Sequence, residues 1–125
     1  LAGKKWWRNR YRREALTRLD RLAADSTCPS AKWLGELSVL LKATALQAYP
    51  REQVASLYGA QWFESLNAQA GREVFDQQSI SLLTDDVYRH DCALSNAQQL
   101  HLLSQTAEWI KHHRSAEDQQ RGRDD

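Results

Sequence analysis

The sequence predicts an all-α fold, a compact bundle of about five or six helices with a projecting basic N-terminal helix, and three observations carry that reading. Only 5 glycines and 2 prolines interrupt 125 residues, too few turn formers for a β architecture. Ala, Leu, Gln, Glu and Arg, all good helix formers, are frequent. Apolar side chains recur at three- and four-residue steps instead of alternating. The length fits one core, since a second could not bury enough apolar surface to offset its own chain entropy. With 42% hydrophobic and 26% charged residues the chain is composed like a globular protein.

The first helix is expected from Lys4 to Ala24, where Tyr11, Ala15, Leu19 and Leu22 form a stripe flanked by Leu16 and Ala23. Its first two turns lack aliphatic residues and should project beyond the core. Asp25 to Pro29 reads as a link. The second helix, Ser30 to Ala48, has the strongest pattern: Trp33, Leu37, Leu40, Leu41, Thr44 and Ala48, widened by Leu34 and Ala45. Tyr49 precedes a proline and is pushed out of the α region, so the helix ends there; Pro50 then opens a short helix to Tyr58. After Gly59, Trp62, Phe63, Leu66 and Ala70 mark a fourth helix closed by Gly71. Ile80, Leu83 and Val87 mark a fifth, from Ser79 to Val87. The last opens at Ser95, whose Ser-x-x-Gln pattern with Gln98 fits a capping box. Its stripe is read as Ala97, Leu100, Leu103, Ala107 and Ile110, with Leu102 and Trp109 beside it. Lys111, His112, His113 and Arg114 place positive charge at its C-terminal end, where the helix dipole favours it. Trp33, Leu37, Leu41, Trp62, Leu66, Leu100, Leu103 and Ile110 are the expected core. Residues 1–24 form the basic helix, 25–114 the helical domain, and 115–125 a disordered polar tail.

The net charge of +1 conceals a split. Residues 4–21 hold eight basic groups against Glu14 and Asp20; the rest of the chain holds nine basic and fourteen acidic groups. Trp6 and Trp7 beside Lys4, Lys5, Arg8 and Arg10 fit indoles at a headgroup boundary followed by cations held on the cytoplasmic side. Two adjacent indoles are costly to leave in water, which disfavours a merely solvated face. A cationic arm on a nucleic-acid backbone is the alternative, with Trp6, Trp7 and Tyr11 stacking on bases. No stretch of the sequence reaches the roughly 20 apolar residues of a membrane helix. The chain has no Met, so a preceding segment is expected, with Leu1 to Gly3 as a vector remnant.

Motifs that carry chemistry are missing from the sequence. There is no G-x-S-x-G turn for a nucleophile, and the five glycines are too scattered to cradle a phosphate. Cys28 and Cys92 show neither a CxxC spacing nor a disulfide framework, and read as ordinary thiols in a reducing compartment. His90, Asp91, Cys92 and His101 are the nearest thing to a metal cluster. His112 and His113 are adjacent, diverge by about 100° on a helix and cannot chelate together. Asp85 and Asp86 read as a solvated turn, and His101 as a helix-surface residue. No enzyme activity, cofactor or metal is expected.

The segment from Leu40 to Leu66, with its Leu41-Lys42 start, the Ala48-Tyr49-Pro50-Arg51 turn, Val54, Ala55 and Leu57, then Gly59 and Trp62, carries a resemblance. It resembles an uncharacterised bacterial family of short single-pass membrane proteins, encoded beside MoxR-type AAA+ ATPases and von Willebrand factor A domain proteins. The resemblance continues more weakly through the Trp/Arg-rich opening, Leu82 to Arg89, and Trp109-Ile110 with His113-Arg114. The chain departs from the family pattern around Tyr88-Arg89, where a proline is often found. The resemblance implies a membrane helix before the basic opening, residence at the bacterial inner membrane with the domain on the cytoplasmic side, and a partner in the ATPase or the von Willebrand A protein. The expected function is a non-enzymatic, membrane-anchored protein-interaction module; the alternative is a nucleic-acid-binding protein. The Tyr49-Pro50 corner supplies the candidate contact, through Arg51, Glu52 and Gln53.

Overall fold

The computed structural model describes residues 2–25, 29–86, 89 and 93–119, with side chains from Asn9 onward in the first helix. Among the described residues the main α-helices are, in order, α1 (Ala2–Ala24), α2 (Ser30–Ala48), α3 (Arg51–Ala55), α4 (Gly59–Ala70), α5 (Gln77–Thr84) and α6 (Asn96–His112). No strand occurs among the described residues. The architecture is an all-α bundle, as the periodicity requires.

The most apolar helix sits at the centre. Trp33, Leu34, Leu37, Leu40, Leu41, Thr44, Ala45 and Ala48 of α2 are all buried, which covers more than one face and demands neighbours on several sides. Helix α1 supplies the longest flank, with α3 and α5 against other parts of it. Ala15, Leu19 and Leu22 of α1 are buried, with Tyr11 and Leu16 partly so. The Trp33 indole donates to the Leu22 carbonyl at 3.2 Å, satisfying its polar edge and tying α2 to the end of α1. On the other side α6 packs against α1 and α4, and the Trp109 indole donates to the Leu66 carbonyl at 2.9 Å.

The turns follow from local chemistry. Tyr49 is extended (φ −136°, ψ 157°), as the residue before proline should be, and ends α2. Pro50 occupies the cap position one residue ahead of the helix it was expected to open, and its carbonyl accepts from Gln53 and Val54. Helix α3 stops at Ala55, short of the expected Tyr58, because Tyr58 is already extended as the cap of α4 (φ −152°, ψ 166°). At the far end of α4, Gly71 adopts φ +75°; its amide bonds Ala68 O and that of Arg72 bonds Asn67 O, the paired contacts of a Schellman end. Asn67 then holds the irregular segment that follows, accepting from Phe75 N at 2.8 Å and donating to Phe75 O at 3.0 Å. Asp76 caps α5 by accepting from Ser79 N, so the helix begins at Gln77, two residues before the expected Ser79, where two glutamines give no apolar signal. Its expected last residue, Val87, lies outside the described residues, as do Cys28 and Cys92. The capping box of Ser95 and Gln98 forms in full.

Helix α6 corrects the sequence reading. Leu100 is 67% exposed and Leu103 only partly buried, so the expected core loses the first and half of the second. The buried face is Leu102, Gln105, Thr106, Trp109 and Ile110, a stripe rotated by about one residue from the expected one. Counting apolar residues alone favoured Leu100 and Leu103 and ignored the buried polar positions. Residues 115–119, expected to be disordered, are ordered against the domain. Ser115 is buried, residues 116–119 make a helical turn, and Ser115 and Asp118 exchange side-chain to backbone hydrogen bonds at 3.1 Å in both directions.

Leu41 is fully buried, so Leu41→Ala should destabilise the fold by about 2–5 kcal/mol, whereas Leu100→Ala should change it by less than about 0.5 kcal/mol. Urea unfolding of both variants checks the rotated stripe; equal losses would overturn it.

Candidate functional site

The Tyr49-Pro50 corner divides its residues between two duties. Val54 and Trp62 are buried, while Arg51, Glu52 and Gln53 are exposed on consecutive positions of α3. One turn of helix cannot hide three successive residues on one side, so with Val54 fixing the inner face these three point to solvent. Tyr58 just beyond is 79% exposed. Lys42 of α2 braces the corner from below: its ammonium donates to the Leu57 carbonyl at 3.1 Å and stands 4.1 Å from the Trp62 ring centroid. Partial burial pulls its pKa below the ordinary lysine value.

The candidate membrane-interface residues lie on α1. The side chains of Lys4, Lys5, Trp6, Trp7 and Arg8 lie outside the described residues. Arg10 is exposed and pairs with Glu14 at 3.0 Å. No helix among the described residues is long and apolar enough to cross a membrane.

The same basic helix sends one cation inward. The Arg12 side chain is 14% exposed; its guanidinium donates to the carbonyls of Ile110 (2.8 Å), Lys111 (3.2 Å) and His113 (2.8 Å) and reaches Asp118 at 3.2 Å. A helix C-terminus leaves carbonyls without partners and concentrates negative potential, and Arg12 meets both needs at the end of α6. The sequence assigned that role to the local run Lys111 to Arg114. His113 instead caps α6 as a buried neutral ring, 2% exposed. Its Nδ1 donates to the Trp109 carbonyl at 2.7 Å, which leaves Nε2 to accept from the Tyr11 hydroxyl at 2.8 Å. The ring stacks on Trp109 at 4.0 Å between centroids, and Tyr49 donates to the Arg114 carbonyl alongside. Burial pushes the His113 pKa down to about 4, with the Arg12 charge acting the same way, and pushes Tyr11 up to about 12. Sequence reasoning missed this knot. The only available signal was that His113 follows Leu102, Thr106 and Trp109 in the three- and four-residue rhythm.

A second His cluster lies on the opposite end of α6. His101 Nε2 meets Asp76 Oδ2 at 2.7 Å, and Gln105 Nε2 donates to the same oxygen at 3.1 Å. Desolvation raises the Asp76 pKa, but hydrogen bonds from His101, Ser79 and Gln105 outweigh it and hold the carboxyl at about 2. This links the α5 cap to α6. His90, Asp91 and Cys92 lie outside the described residues, and among the described ones no three His, Cys, Asp or Glu side chains gather as for a metal. Asp85 is exposed, and Asp86 lies 3.8 Å from Arg89.

A family model described as a domain of unknown function (DUF4381) matches residues 1–112. Neither the curated proteins nor the solved structures contain a match.

The His113 pKa lies below its ordinary 6.5, so between about pH 6.5 and 4 the unfolded chain binds a proton that the folded one refuses. Stability should be complete above about pH 6.5 and fall as the pH descends towards 4. Urea midpoints across this range should slope more steeply for the wild type than for His113→Gln; equal slopes would sink the neutral-imidazole assignment.

Proposed function

The chain belongs to the DUF4381 family, a domain of unknown function, and from that premise we propose that it is a non-catalytic, membrane-anchored interaction module. The observation that carries the reading is the division of labour at the corner. Val54 and Trp62 hold the fold while Arg51, Glu52 and Gln53 are left exposed on a braced turn. Polar side chains that no packing requires, presented on a rigid support, are the raw material of a recognition surface. The partner is a MoxR-type AAA+ ATPase or a von Willebrand A domain protein, an identity supplied by the resemblance of the Leu40 to Leu66 segment. The anchor is an apolar helix preceding Lys4, and the bundle lies on the cytoplasmic side of a bacterial inner membrane. The basic α1 then follows the positive-inside pattern. Against the nucleic-acid alternative stands the withdrawal of Arg12 into the knot, where it is out of reach of a phosphate backbone.

Reversing both corner charges (Arg51→Glu with Glu52→Arg) should reduce co-purification of the ATPase or von Willebrand A protein with the full-length protein, leaving the Tm nearly unchanged. If the wild type captures neither, with or without nucleotide, the partner assignment fails. A reporter fused after Arg114 of the full-length protein should be active only in the cytoplasmic form; periplasmic activity would reverse the topology.

A further inference from the structure

Helix α2 is buried on more than one side, yet a strip of its outer surface remains uncovered. Val39 is 61% exposed and Leu46 37% exposed, one above the other two turns apart. Gly35 and Ala43, each four residues from Val39, are half-buried and small, so another helix can approach this strip closely. A groove lies on either side of Val39. One, of about 550 Å³, runs along the α1–α2 seam between Arg18, Lys32, Gly35 and Glu36. The other, of about 330 Å³, is lined by Lys42, Tyr58, Trp62, Phe63 and Leu83.

Charge selects the occupant. The grooves are lined by Arg18, Lys32 and Lys42 against the single carboxylate of Glu36. The Lys42 ammonium has three donors and lies between the Leu57 carbonyl and the Trp62 face; it has lost part of its hydration and has capacity for an anionic acceptor. Tyr58 stands at the rim of the same groove, a rigid amphipathic ring of the kind that dominates binding energy. The strip from Lys32 to Leu46 spans about 21 Å at 1.5 Å per residue, the length of a four-turn helix. A flat bilayer would not fill two concave grooves, and a nucleic-acid backbone would leave the apolar lining unmatched.

We propose that the outer strip of α2 and its two flanking grooves receive an amphipathic helix of a protein partner, with an aliphatic side chain in each groove and acidic residues against Arg18, Lys32 and Lys42. The inference rests on the interaction-module reading but places the contact on α2, a surface separate from Arg51 to Gln53.

The test titrates the ¹⁵N-labelled chain with two synthetic 18-residue helical peptides that share one leucine face and carry either Glu or Lys on both flanks. The Glu peptide should bind at least about tenfold more tightly, with amide shifts centred on Gly35, Val39, Lys42 and Tyr58. Val39→Asp, at an exposed position, should weaken it by about tenfold, as should Lys32→Glu, both without loss of the folded spectrum. Equal binding of the two peptides, no binding, or indifference to Val39→Asp overturns the proposal. So do shifts confined to the Arg10 to Arg21 face, or the same α2 amides responding to anionic vesicles or a 12-base-pair DNA duplex but not to the peptide. Val39→Asp in the full-length protein separates the two readings. Partner capture that survives it but is lost on reversing Arg51 and Glu52 leaves the interaction module standing and removes the α2 site.

Discussion

The arrangement of the bundle depends on one guanidinium. Arg12 stands halfway along α1 and binds the last carbonyls of α6, a helix almost a hundred residues away in sequence, together with Asp118 of the turn beyond it. A surface arginine contributes little, but hydrogen bonds from a charged donor to otherwise unpartnered carbonyls are each worth about 1.5–3 kcal/mol. The cost of withdrawing the cation from water is met by several acceptors at once. This contact fixes the position of α1 along α6, brings Tyr11 onto His113, and through Asp118 holds residues 115–119 against the domain. Burial keeps His113 neutral, and Arg12 acts in the same direction, because a second cation in that space would oppose the first.

The corner at Tyr49-Pro50 works by a different logic. Backbone restriction before proline sets the direction of the chain, the Val54 side chain fixes which way α3 faces, and Lys42 fills the space beneath Leu57 and Trp62. None of these needs Arg51, Glu52, Gln53 or Tyr58. Residues that make the turn are thus separate from residues presented by it, so the presented side chains can change while the fold stays the same.

How much of this was legible depended on whether the signal was local. Helix α2 was readable to the residue, since its apolar positions exceed what one exposed face could carry and its end is set by the adjacent proline. The Ser95 capping box and the Gly71 end were readable for the same reason: the donor, acceptor or permissive backbone lies within a few residues. Exposure of Arg51 to Gln53 followed from the same local rules. The phase of α6 was not readable from apolar residues alone, because Gln105, Thr106 and His113 are buried polar side chains whose only local mark is their spacing from Leu102 and Trp109. Arg12 was hidden in a run of eight cations, and only the three-dimensional meeting of α1 with α6 singles it out. Polar residues buried by tertiary partners are where periodicity fails, and here they gather where distant parts of the chain join.

The two fully buried indoles provide an internal clock for the molecule. Trp33 bonds from α2 to the end of α1, and Trp109 from α6 to α4, each through its ring N–H to a main-chain oxygen of another helix. Neither proton can exchange with solvent until its helix pair parts, so the two exchange rates report two separate openings of the bundle. Equal rates would mean that the helices come apart in a single cooperative event, whereas a faster Trp33 would identify α1 as the element that leaves first. The molecule thus carries, in the hydrogen bonds that finish its core, the means to order its own unfolding in time.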